Sequence, residues 1–288
     1  MSARSDMPPP FPAEFRAMLE QILRHAGRVD GARAQSLRAR NQTLQQSGTF
    51  HGHRAYVQGD DLRRIDWNAY ARTGSLFLKL LAEEDARAAV VVLDTSASMG
   101  VGAPPRFVTA QRLAAIVCGL ALVHLDAVAL VANGRSEFEG RRSVGAALDR
   151  IEGLALVAGA REPELPTKAA PARVHWISDF VDPEATERSL HRMRRLGARV
   201  TGWLPTLPED FVVEPCGWKS VVDPETGASV PLRIDAELAA AMTRELQALQ
   251  RQQEQAFARC GFPLQRVTLP TASFEAAAWM EAGWSFRR

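Results

Sequence analysis

Cysteine is scarce and shows no pairing pattern: Cys118, Cys216 and Cys260 are far apart and form no CxxC. An odd number at such spacings excludes a disulfide framework and a cysteine zinc site, and it points to a reducing compartment. Long apolar runs are missing as well. No stretch approaches the ~18 residues of a membrane span, and the apolar stretch 113–123 is interrupted in the manner of a core helix. The first residues carry Arg4, Asp6 and three prolines where a secretory leader needs an apolar segment, so no signal peptide is expected. Neither sign of charge dominates: 35 Lys and Arg against 33 Asp and Glu leave +2, which argues neither for nor against nucleic acid. No internal repeat stands out. These absences describe a soluble, cytoplasmic chain. Its 288 residues, 46% of them hydrophobic, suffice for one large α/β domain with additions or for two modest ones.

What is present alternates between strands and helices. Residues 1–12 are Pro-rich, and Phe15, Met18, Leu19, Ile22 and Leu23 then fall on one helical face, expected to dock on the chain's own core. Residues 33–54 are polar and rich in Arg. Arg38, Arg40, His51, His53 and Arg54 read better as a solvated loop leading into a strand than as a phosphate, RNA or metal site. In 56–86, Gly59, Asp60 and Asp61 mark a turn, Trp67 and Tyr70 are large anchors, and 75–81 reads as a strand. Asp60, Arg63, Asp66 and Arg72 form either a salt-bridged corner or a recognition surface.

Residues 89–93 are a short apolar run, β-branched at three positions, as suits a strand buried on both faces. Further strands are expected at 127–132, 173–177, 199–204 and 264–269. Between them come helices through 113–124, after Ser143 as N-cap, after Asp182-Pro183, over 238–257, and last over 274–280. A hairpin is expected at 219–234 around "DPETG". The fold class is therefore α/β: a doubly wound, mostly parallel, Rossmann-like sheet with an N-terminal extension and a small β-hairpin excursion. The divisions are a tail and amphipathic helix at 1–32, a strand-bearing segment at 33–87, and the α/β domain at 88–288.

Two core strands end in acid-bearing loops, one at Asp94, Ser96 and Ser98, the other at Ser178-Asp179. In a doubly wound sheet, loops flanking the switch point open on one crevice. Asp94, Ser96, Ser98 and Asp179 are hard oxygen donors suited to Mg²⁺ or Mn²⁺. Asp94-Thr-Ser96-Ala-Ser98 resembles the DxSxS motif of the von Willebrand factor A (vWA) domain's metal-ion-dependent adhesion site. Ser178-Asp179 is similar to its Thr/Ser-Asp-Gly, with Phe180 at the Gly position. The preceding block, with Gly59, Asp60, Arg63, Asp66, Trp67 and Arg72, resembles the signature of the DUF58 family, as do "SDF" and the later "DPETG".

That resemblance implies a non-enzymatic interaction module with a vWA-like domain. It would work with a MoxR-type AAA+ ATPase in assembly or chaperone-like activity, and with other vWA-domain proteins. It further implies that the serines hold the ion directly, the acids act through water, and a partner's carboxylate takes the open position. A domains add a Thr before their second helix, and 134–145 has none. Ser143 is the nearest hydroxyl, a marginal candidate ligand because an N-cap role already accounts for it. Two other functions compete. A metal-dependent phosphohydrolase with Asp94 as nucleophile lacks an acid two residues on, where Ser96 stands. A nucleic-acid binder through 33–64 and 188–195 lacks the interleaved aromatics for base stacking.

Overall fold

The computed structural model describes residues 8–41, 50–55, 70, 73–81, 88–124, 127–158, 173–207 and 210–268. The chain divides into two compact units, Arg28–Arg87 and the combination of Met1–Gly27 with Ala88–Arg288. In the smaller unit, β1 (Phe50–Ala55) pairs antiparallel with β2 (Phe77–Leu81), with a register shift between Phe50 and Gly52. Gly59, Asp60, Arg63, Asp66, Trp67 and Arg72 lie outside the described residues, and so does the helix expected at 274–280.

The larger unit is built on β3 (Ala88–Leu93), β4 (Ala127–Val131), β5 (Arg135–Glu139), β6 (Arg173–Ile177), β7 (Arg199–Thr206) and β10 (Leu264–Thr268). They form one six-stranded sheet in the order β10-β7-β6-β3-β4-β5, parallel throughout except for antiparallel β5. This is the doubly wound α/β arrangement expected from the alternation of elements, of the vWA/Rossmann-like class. The chain leaves β3 toward β4 on one side, then returns to lay down β6 and β7 on the other. The switch point therefore falls between β3 and β6.

Alternation along β3 shows why an all-apolar strand is needed there. Ala89, Val91 and Leu93 enter one core cluster, and Val90 and Val92 enter the other. On the first face lie the part of α1 (Ala13–Asn41) up to Gly27, α2 (Arg106–His124) and α3 (Val144–Glu152). The opening turns of α1 bury Phe15, Leu19, Ile22, Leu23 and Ala26 in that cluster, so this amphipathic face docks on the chain's own core. Gly119 of α2 permits the approach, since a Cβ there would stand 3.0 Å from the Leu23 side chain. By length and composition α2 is apolar enough to cross a membrane, but 83% of its apolar window is buried inside the fold.

The second face carries α4 (Pro183–Arg195) and α5 (Ala236–Cys260), through Leu190, Met193, Phe257 and Cys260. Asp182 caps α4 by accepting the Ala185 N–H at 2.9 Å, with Pro183 opening the helix, as its sequence signals. Gly202 on β7 admits the Phe257 ring, which would lie 2.4 Å from any Cβ added there. The hairpin consists of β8 (Gly217–Val222) and β9 (Ser229–Ile234), paired antiparallel apart from the main sheet.

Two expectations change, and one strand is new. Residues 33–41, read as the start of a solvated loop, continue α1 to Asn41. Within 134–145, "RSEFE" forms edge strand β5, with residues alternately exposed and half-buried. Its polar composition conceals a strand with only one side to cover. Ser143 stands at the start of α3 but makes no side-chain cap, and its hydroxyl donates to the Glu139 carbonyl at 2.6 Å. A 3₁₀ turn, Arg141–Ser143, leads into the helix instead.

His175 on β6 is buried, and its Nδ1 accepts the Trp203 Nε1–H at 3.1 Å. Burial, with Arg173 nearby, pushes the imidazole down to about 3 from 6.5. The neutral form is therefore built into the fold, while the unfolded chain takes up a proton near its ordinary value. Stability from this group is present above pH 6.5 and is lost as pH falls toward 3. Between pH 6.5 and 5 it should lower unfolding free energy by up to about 1.4 kcal/mol per pH unit. His175→Gln, which retains an acceptor for Trp203, should flatten that segment in urea titrations; an unchanged slope would contradict the assignment.

Candidate functional site

The switch point places the two acid loops side by side. Leu93 and Ile177 are the last paired residues of β3 and β6. One residue on, the Asp94 N–H donates to the Ile177 carbonyl at 2.9 Å, and the Ser178 N–H donates to the Trp203 carbonyl at 3.2 Å. Asp94 and Ser178-Asp179 thus leave the sheet at adjacent carboxyl ends.

Both oxygens of Asp94 have partners. Oδ1 accepts the Ser96 N–H at 2.9 Å, and Oδ2 accepts the Ser178 hydroxyl at 2.6 Å. The Ser96 and Ser98 hydroxyls are 2.9 Å apart. A 3₁₀ turn, Ala97–Gly100, follows, pinned by the fully buried Met99. On the other flank, Thr95 Oγ1 donates to Asn133 Oδ1 at 2.8 Å, and Asn133 Nδ2 donates to the Ala155 carbonyl at 2.9 Å. The Val157 N–H donates to the Thr95 carbonyl at 2.8 Å. The loop's shape is therefore fixed from both sides before any ligand arrives.

Asp179 is treated differently. It is 5% exposed, and its Oδ2 is buried with no hydrogen-bond partner. Burial first, then the charge of Asp94, pushes its carboxyl up to about 6; a bond from Ser98 and the charge of Arg106 partly oppose that. Arg106, at the start of α2, is itself held by the Asp210 carboxylate.

The loop carrying Asp179 is clamped from below. Phe180 takes a left-handed φ of 48°, a conformation glycine adopts freely and phenylalanine adopts only when its surroundings over-determine it. Its ring sits edge-on to Trp176 and Phe257 at 5.2 and 5.0 Å, 2% exposed. Its N–H donates to Ser178 Oγ at 3.1 Å, and Gln253 Nε2 donates to the carbonyls of Asp179 and Phe180 at 2.9 and 3.2 Å. The residue that departs from the A-domain motif thereby ties the acid loop to the second core.

The structure brings Asp94, Ser96, Ser98 and Asp179 together. Ser143 is not among them. β5 runs antiparallel to β4, from Arg135 opposite Val131 to Glu139 opposite Ala127, so its far end lies at the amino ends of the parallel strands. That is roughly 13 Å along the strand from the site's end of the sheet. Sequence reasoning passed over Asn133, Arg106 and Glu225, whose Oε1 accepts the Ser98 N–H at 2.9 Å. Asn133 and Arg106 carry no local mark, and Glu225 was visible only as part of the "DPETG" turn, because each reaches the loop through tertiary folding. Ser178 stood in the motif, and its hydroxyl proves to hold Asp94.

Among the described residues no group of three or more His, Cys, Asp or Glu could hold a metal. The donors here are two carboxylates and two hydroxyls, all hard oxygens of the kind Mg²⁺ and Mn²⁺ prefer. The partnerless Asp179 Oδ2, buried beside a second acid, is what a cation at this position would satisfy. The residues fit such an ion.

Without an ion, the Asp179 charge opposes folding. Its folded-state acidity is weakened, so its stabilising contribution is present below pH 3.8 and is lost as pH rises through about 6. Asp179→Asn in EDTA should therefore raise unfolding free energy by up to about 3 kcal/mol at neutral pH, with the gain vanishing near pH 4. Urea denaturation checks this, and a variant no more stable than wild type at pH 7.5 would contradict it.

No protein of curated function matches the chain. Two crystal structures are similar in part. One is a conserved hypothetical protein BatB from Bacteroides thetaiotaomicron: 14% identity, TM-score 0.40, covering 69% of this chain and 97% of that one. The other is an aerotolerance-related membrane protein from Bacteroides fragilis with multiple mutations to serines: 15% identity, TM-score 0.34, covering 69% and 98%. Both scores are low, and the fold assignment rests on the sheet order. The family described as protein of unknown function DUF58 matches residues 52–255, a span that takes in the signature residues 59–72, the acid loops and the hairpin. With well over half of its length matched, the chain belongs to the DUF58 family.

Proposed function

We propose that the chain is a non-enzymatic protein-interaction module that binds an acidic group of a partner through a Mg²⁺ or Mn²⁺ at Asp94, Ser96, Ser98 and Asp179. The observation that carries this reading is the buried, partnerless Oδ2 of Asp179 beside Asp94. A buried acid that feels the charge of a half-buried one, with hydroxyls at hand, is arranged for a cation. A bound divalent ion supplies the missing positive charge and attracts a hard anionic ligand.

The protein's own residues do the rest. Ser178 and the Ser96 N–H orient Asp94, and Phe180 and Gln253 fix the Asp179 loop. This preorganisation limits the ordering cost of binding. The position two after Asp94 is Ser96, whose hydroxyl lies against Ser98. A second acid for phosphoryl chemistry is absent there, which supports binding over catalysis. The family suggests the partner: a MoxR-type AAA+ ATPase, with other vWA-domain proteins, in assembly or chaperone-like work in the cytoplasm.

Retention of the MoxR-type ATPase on the immobilised chain should require Mg²⁺ or Mn²⁺. EDTA or Asp94→Ala should weaken it at least about tenfold. Equal retention by wild type and Asp94→Ala, with and without EDTA, would exclude the metal role. Turnover of generic phosphate esters with Mg²⁺ would overturn the non-enzymatic assignment.

A further inference from the structure

We propose that Glu225, at the tip of the β8–β9 hairpin, is the site's own ligand. Its carboxylate holds in cis the place at the 94–98 loop that a partner's acid takes. The ligand this site accepts is therefore a carboxylate presented on a tight turn, and a partner binds by displacing the hairpin tip. The metal-bound form of this inference rests on the function proposed above; the contact itself does not.

Glu225 Oε1 accepts the N–H of Ser98, one of the candidate ligand residues, at 2.9 Å and from 127 positions away. Burial along the hairpin shows how specific this approach is. Every residue from 214 to 231 is exposed except Glu225, which is half-buried. Over 214–231 the hairpin therefore stays out of the core, and Glu225 is the residue of its tip that is partly covered, where it reaches the Ser98 N–H.

The tip is also built to present that side chain. Asp223 Oδ1 accepts the Glu225 N–H at 2.9 Å, and Oδ2 accepts the Thr226 hydroxyl at 2.6 Å. The Asp223 N–H and the Gly227 N–H close the turn on the Ala228 and Asp223 carbonyls, each at 2.8 Å. Asp223 is thus engaged within the turn, and Glu225 is the acid carried to the loop.

The electrostatics favour a cation as the third party. Glu225 brings another carboxylate to a loop whose neighbour Asp179 already feels the charge of Asp94. The three acids do not form one ligand set in this structure, so Glu225 adds negative charge at the edge of the loop, and a cation there would offset the repulsion among them. The same contact explains how the site can be shielded from stray carboxylates, since a competitor must first outbind a ligand tethered on the same chain.

The full-length chain and its Glu225→Ala and Glu225→Gln variants test this with two readouts. The first is hydrogen exchange of the 94–101 segment in EDTA. Glu225→Ala should exchange the Ser98 amide roughly tenfold faster, and Glu225→Gln, which retains an acceptor oxygen, should restore much of the protection. Unchanged exchange in Glu225→Ala would overturn the cis contact. The second is water-proton relaxation with Mn²⁺ as the probe. Both variants should bind Mn²⁺ several-fold more weakly, with higher relaxivity per bound ion because water takes the vacated position. Equal affinity and relaxivity in all three proteins would overturn Glu225 as a ligand of the ion. A wild-type chain that binds no Mn²⁺ removes the metal reading, and the exchange result then decides the contact by itself.

Discussion

A buried carboxylate, Asp179, set beside the half-buried Asp94 at the ends of adjacent parallel strands is the constraint around which this unit is organised. The parallel register that pairs Leu93 with Ile177 forces Asp94 and the Ser178-Asp179 loop to emerge together at the switch point. Removing acids from water and setting them side by side is unfavourable unless hydrogen bonds or an opposite charge compensate. Asp94 has its compensation in the Ser96 N–H and the Ser178 hydroxyl. Asp179 has less, with one oxygen left without a partner. The aromatic clamp at Phe180, the Gln253 amide and the Asn133 bridge are means of holding this unfavourable pair in one geometry.

Much of this was legible in the chain. The apolar run of β3 could only be a strand buried on both faces, and the turn chemistry of Asp182-Pro183 and the "DPETG" segment announced α4 and the hairpin. The proximity of Asp94, Ser96, Ser98 and Asp179 was legible because all four lie within a few residues of a strand end, and strand ends are local features. What stayed hidden depends on long-range packing. β5 is too polar to show a buried face, because as an edge strand it has little to bury. Ser143 looked like a cap by residue type alone, whereas the chain direction of β5 carries it to the wrong end of the sheet. Glu225 was one acid within a recognisable turn, and only tertiary folding shows that the turn is aimed at Ser98.

Phe180 is instructive because it departs from the A-domain pattern and yet ties the acid loop down more firmly. Glycine at that position would adopt the left-handed backbone without strain but would leave the acid loop tied down only by hydrogen bonds. Phenylalanine accepts the strain and places a ring between Trp176 and Phe257, which couples the site to the core under α5. The hairpin works in the opposite sense. It stands almost wholly exposed, and its half-buried Glu225 reaches the Ser98 N–H, so the clamp on the Asp179 loop and the contact on the Ser98 loop come from different parts of the same unit.

The central claim is that Asp179, whose buried Oδ2 lacks a partner, and the Asp94-Ser96-Ser98 loop together hold a divalent ion. Anomalous diffraction from crystals grown in millimolar Mn²⁺ tests it most directly. The account predicts a single strong anomalous peak among the side-chain oxygens of Asp94, Ser96, Ser98 and Asp179. A map with no peak there, or with peaks only at other acids, would contradict it.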